Sequence, residues 1–187
     1  MTKDQSGASL TFGAIENVKG TPFFTVPVQR LEESAGSGSY FKGGGAEVNR
    51  IIVDSRNGIS RRVLPDEKFV IVNWILPSGT PGEKFDRFDA LDPTAVEESK
   101  TAPEFYAAVV KRPGKEEDDS RYDVLLGRFD TGQQTWIARN LDGVAGFWRI
   151  ADGRLAMIAA TDGRGVYRLY DTKTFGQVVE KELKLTR

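Results

Sequence analysis

Three carboxylates, Glu83, Asp86 and Asp89, with Asp92 close behind, crowd one part of this 187-residue chain. Hydrolysis of a glycosidic bond needs two carboxyl groups facing each other across a cleft and no imidazole. The residues sit in the longest irregular stretch, Pro77–Glu104, and long loops often carry function. Glu83, Asp86 and Asp89 are therefore the candidate catalytic carboxylates. A second acidic run, Glu116, Glu117, Asp118 and Asp119 in "KEEDDSRYD", offers the oxygen ligands that hard cations favour. It lacks the alternating spacing and glycine of a calcium loop, and Lys115 and Arg121 flank it, so it reads as a solvated hairpin tip. No metal and no cofactor are expected. The other candidates are aromatic. Trp74, Trp136 and Trp148 could stack on sugar or meet a partner, but Trp74, inside "VIVNWIL", reads as core. In "GFWRI", neighbouring strand residues point to opposite faces, so either Phe147 or Trp148 faces outward or into a second layer. An exposed aromatic beside Arg149 has hot-spot composition, which makes Phe147, Trp148 and Arg149 the candidate binding residues.

What is missing narrows the chemistry further. The chain has no cysteine and no histidine. Disulfides, thiolate sites, cysteine nucleophiles, Ser-His-Asp triads and His-bearing zinc sites are all excluded. Lys+Arg is 26 against Asp+Glu 27, a formal net charge of -1, which argues against a dedicated nucleic-acid binder with its basic face. No apolar run reaches the length of a transmembrane segment. The start, "MTKDQSGASL", has no apolar core. It fits a cytoplasmic protein, and equally a tether left after removal of an export segment or lipid anchor.

The elements that must position these groups are strands. "TPFFTVPVQRLEE" alternates, and its Pro22 and Pro27 predict a sheet edge or a break. "SAGSGS" and "GGG" predict loops; the triple glycine lacks the Lys-Ser/Thr ending of a phosphate-binding loop. "RIIVDSRNGISRRVL" predicts a hairpin around Asn57-Gly58. "KFVIVNWIL", nearly all apolar, predicts a central strand covered on both faces. "FYAAVVKR", "RYDVLLGRFD" and "QTWIAR" predict strands, and "AGFWRI-ADG-RLAMIAA-TDGRG-VYRLYD" three more joined by Asp-Gly turns. "FGQVVEKELKL" predicts the last. Some ten or eleven strands result, with at most one short helix, capped by Asp92 with Pro93 in its first position.

One pattern occurs three times: an apolar-alternating run, Asp, Ser or Thr, a turn with glycine, and a second run. The aspartates are Asp54, Asp130 and Asp171. The first two are about twice as far apart as the last two, which predicts a unit of about 40 residues with one copy degenerate or missing. Each Asp can accept hydrogen bonds from backbone N–H groups just ahead of it, so all three read as turn formers. "IIVDSRNGISRRVL" resembles the hairpin between the third and fourth strands of blades in Tol-associated and prolyl-oligopeptidase-type β-propellers. "LGRFDTGQQTWIAR" and "YRLYDTKTFGQVVE" resemble it less, the last with Gly176 delayed.

The expectation is an all-β fold of antiparallel meanders with blade-like sheets, either a small or partial propeller or a sandwich-like stack. Residues 1–9 form a mobile tail and residues 10–187 a single domain. A half-propeller completed by a second chain also fits. The function expected is a non-enzymatic interaction or scaffold module in a bacterial envelope compartment. The alternative is a histidine-free, carboxylate-dependent glycan-active enzyme or a glycan-binding domain. A protein partner or a second copy would join through the sheet edges, at Phe23–Leu31 or Gln177–Leu185.

Overall fold

The computed structural model describes residues 2–3, 9–31, 45–76, 84–85, 102–112, 121–150 and 153–184. Glu83, Asp86, Asp89, the Asp92 helix, the acidic run 116–119 and Gly43–Gly44 lie outside them. The described residues are all-β, with no helix among them. The described residues form fifteen strands, against the ten or eleven expected; three of them are only two residues long, too short for any periodicity to announce.

The first sheet holds β1 (Thr2–Lys3), β2 (Ser9–Phe12), β3 (Glu16–Asn17), β4 (Phe23–Arg30), β5 (Ala46–Asp54) and β6 (Ser60–Arg62). The second holds β7 (Val70–Ile75), β9 (Phe105–Arg112), β10 (Arg121–Arg128) and β11 (Gln134–Leu141), ordered β11-β10-β9-β7. The third is β15-β14-β13-β12-β8, from β8 (Lys84–Phe85), β12 (Gly143–Ile150), β13 (Arg154–Thr161), β14 (Arg164–Asp171) and β15 (Gln177–Glu182). All pairings recorded are antiparallel. The chain divides into two compact units, Met1–Val72 and Asn73–Arg187.

In the first unit β4 is not an edge, contrary to what its prolines suggest. It pairs with β5 on one side and with β2 and β3 on the other. Pro27 is tolerated because its neighbour is broken opposite it: β2 stops at Phe12 and β3 begins at Glu16. In that gap the Pro27 carbonyl accepts a hydrogen bond from Gly13 N–H at 2.8 Å. An antiparallel residue points its N and its carbonyl to the same side, so the N–H that proline lacks would have faced the break. A register shift between Val28 and Gln29 marks a bulge in β5, which turns Glu47 onto the face of Arg50. The buried Arg50 guanidinium bonds both Glu47 oxygens, at 2.7 and 2.9 Å, together with Thr25 Oγ1 and Glu16. Buried Asn49 holds the chain beyond β6 by accepting from Leu64 N–H at 2.9 Å and donating to the Leu64 carbonyl at 3.0 Å.

In the second unit, the strand buried at every position from Phe105 to Val110 is β9. The apolar run around β7, expected to be central, ends the sheet order and is mostly half-buried. An apolar run shows that a strand can be covered; neighbouring side-chain sizes decide which strand is. In β9 the small Ala107 and Ala108 admit packing on both faces. Trp74 of β7 lies on Tyr106, ring centres 4.6 Å apart and planes at 26°. The second and third sheets meet through Phe105 and Phe175, edge to face at 6.3 Å and 67°, and through Tyr170, whose hydroxyl donates to the Ile137 carbonyl at 3.1 Å. Only one of β15's sides is paired among the described residues.

Each sheet has a hairpin closed the same way. Asp54 N–H donates to the Ile59 carbonyl, Arg128 N–H to Gln133 and Asp171 N–H to Gly176, each at 2.9 Å. The fifth residue of each is left-handed: Gly58 (φ 71°), Gly132 (72°) and Phe175 (58°). The Asn57-Gly58 hairpin is therefore a four-residue loop with only its glycine left-handed, whereas Asp162-Gly163 (φ 49° and 72°) is the two-residue turn expected of Asp-Gly. Among the described residues no further hairpin of this kind lies between the first two. Their wide separation is taken up by the stretch that includes β8, which joins the third sheet.

Candidate partner-binding edge

The three aspartates act within these turns. Asp54 Oδ1 accepts Arg56 N–H at 3.0 Å, and Asp171 Oδ1 accepts Lys173 and Thr174 N–H at 3.0 and 2.9 Å. Asp130 accepts the adjacent Thr131 N–H at 2.8 Å. Each also meets an arginine: Arg56, Arg154 and Arg128 respectively. The Arg56 hydrogen bond draws the Asp54 carboxyl down to about 2, and Arg128 likewise lowers Asp130. Asp171 is lowered mainly by Thr174 N–H. Measured from the hairpin closure, Asp54 and Asp171 hold the first position, while Asp130 holds the third and Arg128 the first. Sequence alignment on aspartate therefore shifts the middle hairpin by two residues.

Of the aromatic candidates, Phe147 is 1% exposed and belongs to the core. Trp148 and Arg149 are each half-buried and point to opposite faces of β12. The three residues do not share one surface.

The group that does form a surface lies on β11, the last strand of the second sheet. Leu125 pairs with Trp136, but the next partner of the ladder, Val124, pairs with Ala138, so Ile137 is extra. A second shift follows, because Tyr122 pairs with Leu141. The first bulge reverses the alternation, so Trp136 and Arg139, three residues apart, project to the same face. The Arg139 guanidinium stands over the Trp136 ring, 4.9 Å from its centre. Arg139 is exposed, and no carboxylate pairs with it among the described residues. Other arginines are engaged within the chain, as Arg112 is with Asp123, Arg121 with Asp142 and Arg168 with Glu180.

Two buried polar side chains hold this geometry. Asp123, with no exposed surface, accepts the Asn140 N–H at 2.8 Å through one oxygen and Arg112 Nε and Nη2 at 2.8 and 2.7 Å through the other. Asn140 is left-handed, φ 58°, in the second bulge. At the first bulge the Ile137 carbonyl receives the hydroxyl of Tyr170, which is 1% exposed. Burial pushes the Tyr170 phenol up to about 12. On the same face Gln134 donates to Tyr106 Oη at 2.6 Å.

Trp136 could be picked out in the sequence as an aromatic of open role. Arg139, Asp123, Asn140 and Tyr170 could not, because their roles follow from bulges that no residue pattern marks. No group of three acidic residues that could hold a metal ion occurs among the described residues.

These features define an all-β protein built of blade-like antiparallel sheets. No protein-family model and no curated protein matches the chain. Among solved structures it is similar to the β-propeller domain of the Trilobed protease from Pyrococcus furiosus, with a TM-score of 0.45 and 9% identity, over 98% of this chain and 45% of that one. The chain thus spans less than half the length of that relative.

Proposed function

We propose that the chain is a non-enzymatic interaction module of a bacterial envelope compartment, built from three copies of one hairpin-bearing sheet, that holds a protein partner on the β11 edge. The observation that carries this reading is Arg139 poised over Trp136 on an outer strand, exposed and supported from below by two buried hydrogen-bonding side chains. Tryptophan and arginine are the residue types that dominate interface energetics. Bulges and left-handed residues cost free energy that the surrounding structure must offset, and they gather where a side chain has to be aimed. Here they aim a cation outward.

Site-specific photo-cross-linking in the native host tests the reading. A benzophenone side chain would replace Thr131 or Gln133 on the β11 side, and Lys173 or Lys181 on the third sheet; all four positions are exposed. A discrete adduct from the first two positions and none from the last two is expected. Adducts only from Lys181 would move the contact to β15, and none anywhere would remove the interaction reading.

A further inference from the structure

We infer that the outer face of the third sheet binds an acidic glycan, whose pyranose rings lie on Trp148 and Tyr167 and whose carboxylate meets Lys181. This ligand is separate from the partner assigned to β11. The two faces of the sheet differ in cover. On one, Phe147, Leu155, Met157 and Tyr170 are each 1% exposed or less. On the other, Trp148, Ile158 and Tyr167 are half-buried and Lys181 is exposed. The register sets four positions in one row across the strands: Gly146 pairs with Ile158, Ile158 with Tyr167 and Tyr167 with Lys181. Trp148 fills the first of these places. A Cβ at Gly146 would lie 3.6 Å from Trp148 Cη2 and 3.9 Å from both Cζ2 and Cζ3. Such near-equal distances to three adjacent ring atoms mean that the indole turns its face, not its edge, to the glycine. The row therefore reads indole, isoleucine, phenol ring and ammonium.

The spacing and the chemistry of this row select the occupant. β12 and β14 flank β13, so the two aromatic side chains are rooted about 9–10 Å apart, two strand spacings. That is the length of a disaccharide unit in a β-1,4-linked chain, with Ile158 under its middle. A pyranose sets its C–H face on an aromatic ring and keeps its hydroxyls at the rim, in water. An extended peptide fares worse here. The backbone beneath the row is engaged in the β12–β13, β13–β14 and β14–β15 ladders, so a peptide laid across it would bury amides without partners. Charge complementarity makes the sugar acidic. Glu180 and Glu182, on either side of Lys181, project to the opposite face and pair there with Arg168 and Arg164. Arg154 and Asp171, on the same face as Lys181, neutralise each other. No carboxylate pairs with Lys181 among the described residues. Its ammonium ends the row beside Tyr167, where it can meet an anionic group with a charge-assisted hydrogen bond.

The test titrates the purified full chain with two β-1,4-linked hexasaccharides, one of glucose and one of glucuronic acid, by calorimetry at two salt concentrations. The glucuronate oligomer should bind at least about fivefold more tightly than the glucose oligomer, and high salt should erase the difference. Lys181→Gln should remove the preference and Lys181→Arg should keep it. Trp148→Leu and Tyr167→Leu should each weaken both sugars at least about fivefold, and Trp148→Tyr should retain more binding than Trp148→Leu. Lys173→Gln, in an exposed turn, should change nothing. Urea denaturation shows which variants remain folded, and the two Lys181 variants test the inference even where a ring variant does not fold. Binding of neither sugar, equal binding of both, or binding that Trp148→Leu and Lys181→Gln leave unchanged would overturn it. A dimer seen in sedimentation and broken by Trp148→Leu, with no sugar bound, would also overturn it and give the face to a second copy.

Discussion

The Tyr170 hydroxyl donates to the Ile137 carbonyl at 3.1 Å, so the third sheet supplies the hydrogen bond that the bulge in β11 removes from the second. A bulged residue leaves its backbone groups without ladder partners, and a buried carbonyl left so costs about 1–3 kcal/mol. The sheet-to-sheet contact and the shape of the candidate edge are thereby one interaction.

Tyr170→Phe should lower unfolding stability by about 1 kcal/mol, measured by urea denaturation at pH 7. The pH dependence has a definite sign. The phenol ionises near 10.0 when unfolded and at about 12 when folded. Between these values the unfolded chain binds fewer protons than the native one, so stability falls as pH rises from 10 to 12. Tyr170→Phe should lose less stability than the wild type across that window. Parallel curves for the two proteins would show that burial of the hydroxyl is not what raises it.

Asp123→Ala should cost about 2–3 kcal/mol, since it leaves Arg112 unpaired and the Asn140 N–H without its acceptor. Asp123→Asn should cost less, because a neutral acceptor still reaches Asn140. Hydrogen exchange at Asn140 separates the two roles: the amide should exchange fast in the alanine variant and slowly in the asparagine one.

Phe175 stands where the other two hairpins have glycine, with φ 58° and a ring 2% exposed against Phe105. A bulky residue in the left-handed region is strained by about 1 kcal/mol or more. Both Phe175→Ala and Phe175→Gly remove the ring, but only the second relieves the backbone. Phe175→Gly should therefore be the more stable of the two by about 1 kcal/mol, the reverse of the usual order, although both fall below wild type. Chemical denaturation of the pair decides it.

The same residue shows how far sequence reading reaches. The β class, the strands from β9 to β15 and the Asp162-Gly163 turn were legible, because alternation and turn chemistry are local. The hairpin at Asp171 was legible too, but its register was not: Phe175 hides the left-handed position that glycine marks at Gly58 and Gly132. Pro27 misled for a related reason. Its missing N–H demands a missing partner, and an interruption between Phe12 and Glu16 satisfies that demand as well as an edge does. The Trp136–Arg139 stack was illegible, since residues three apart belong to opposite faces of a strand until a bulge, fixed by Asp123 and Tyr170 from elsewhere in the chain, brings them together.

Gly127 shows a demand made by a neighbour rather than by the backbone. Its φ is ordinary, yet a Cβ there would come within 2.2 Å of Tyr106 Cζ and Oη. Tyr106 is fully buried on the paired strand β9, stacked on Trp74 and bonded through its hydroxyl to Gln134, so it cannot swing aside cheaply. Gly127→Ala should cost about 1–3 kcal/mol by overpacking, against the small gain that alanine brings to an unobstructed strand. Tyr106→Leu should cost a similar amount by removing the ring. Combining them should cost less than the two losses added together, because the smaller side chain at 106 vacates the space the new methyl needs. Additive losses in urea denaturation would mean that the ring does not set the requirement for glycine at 127.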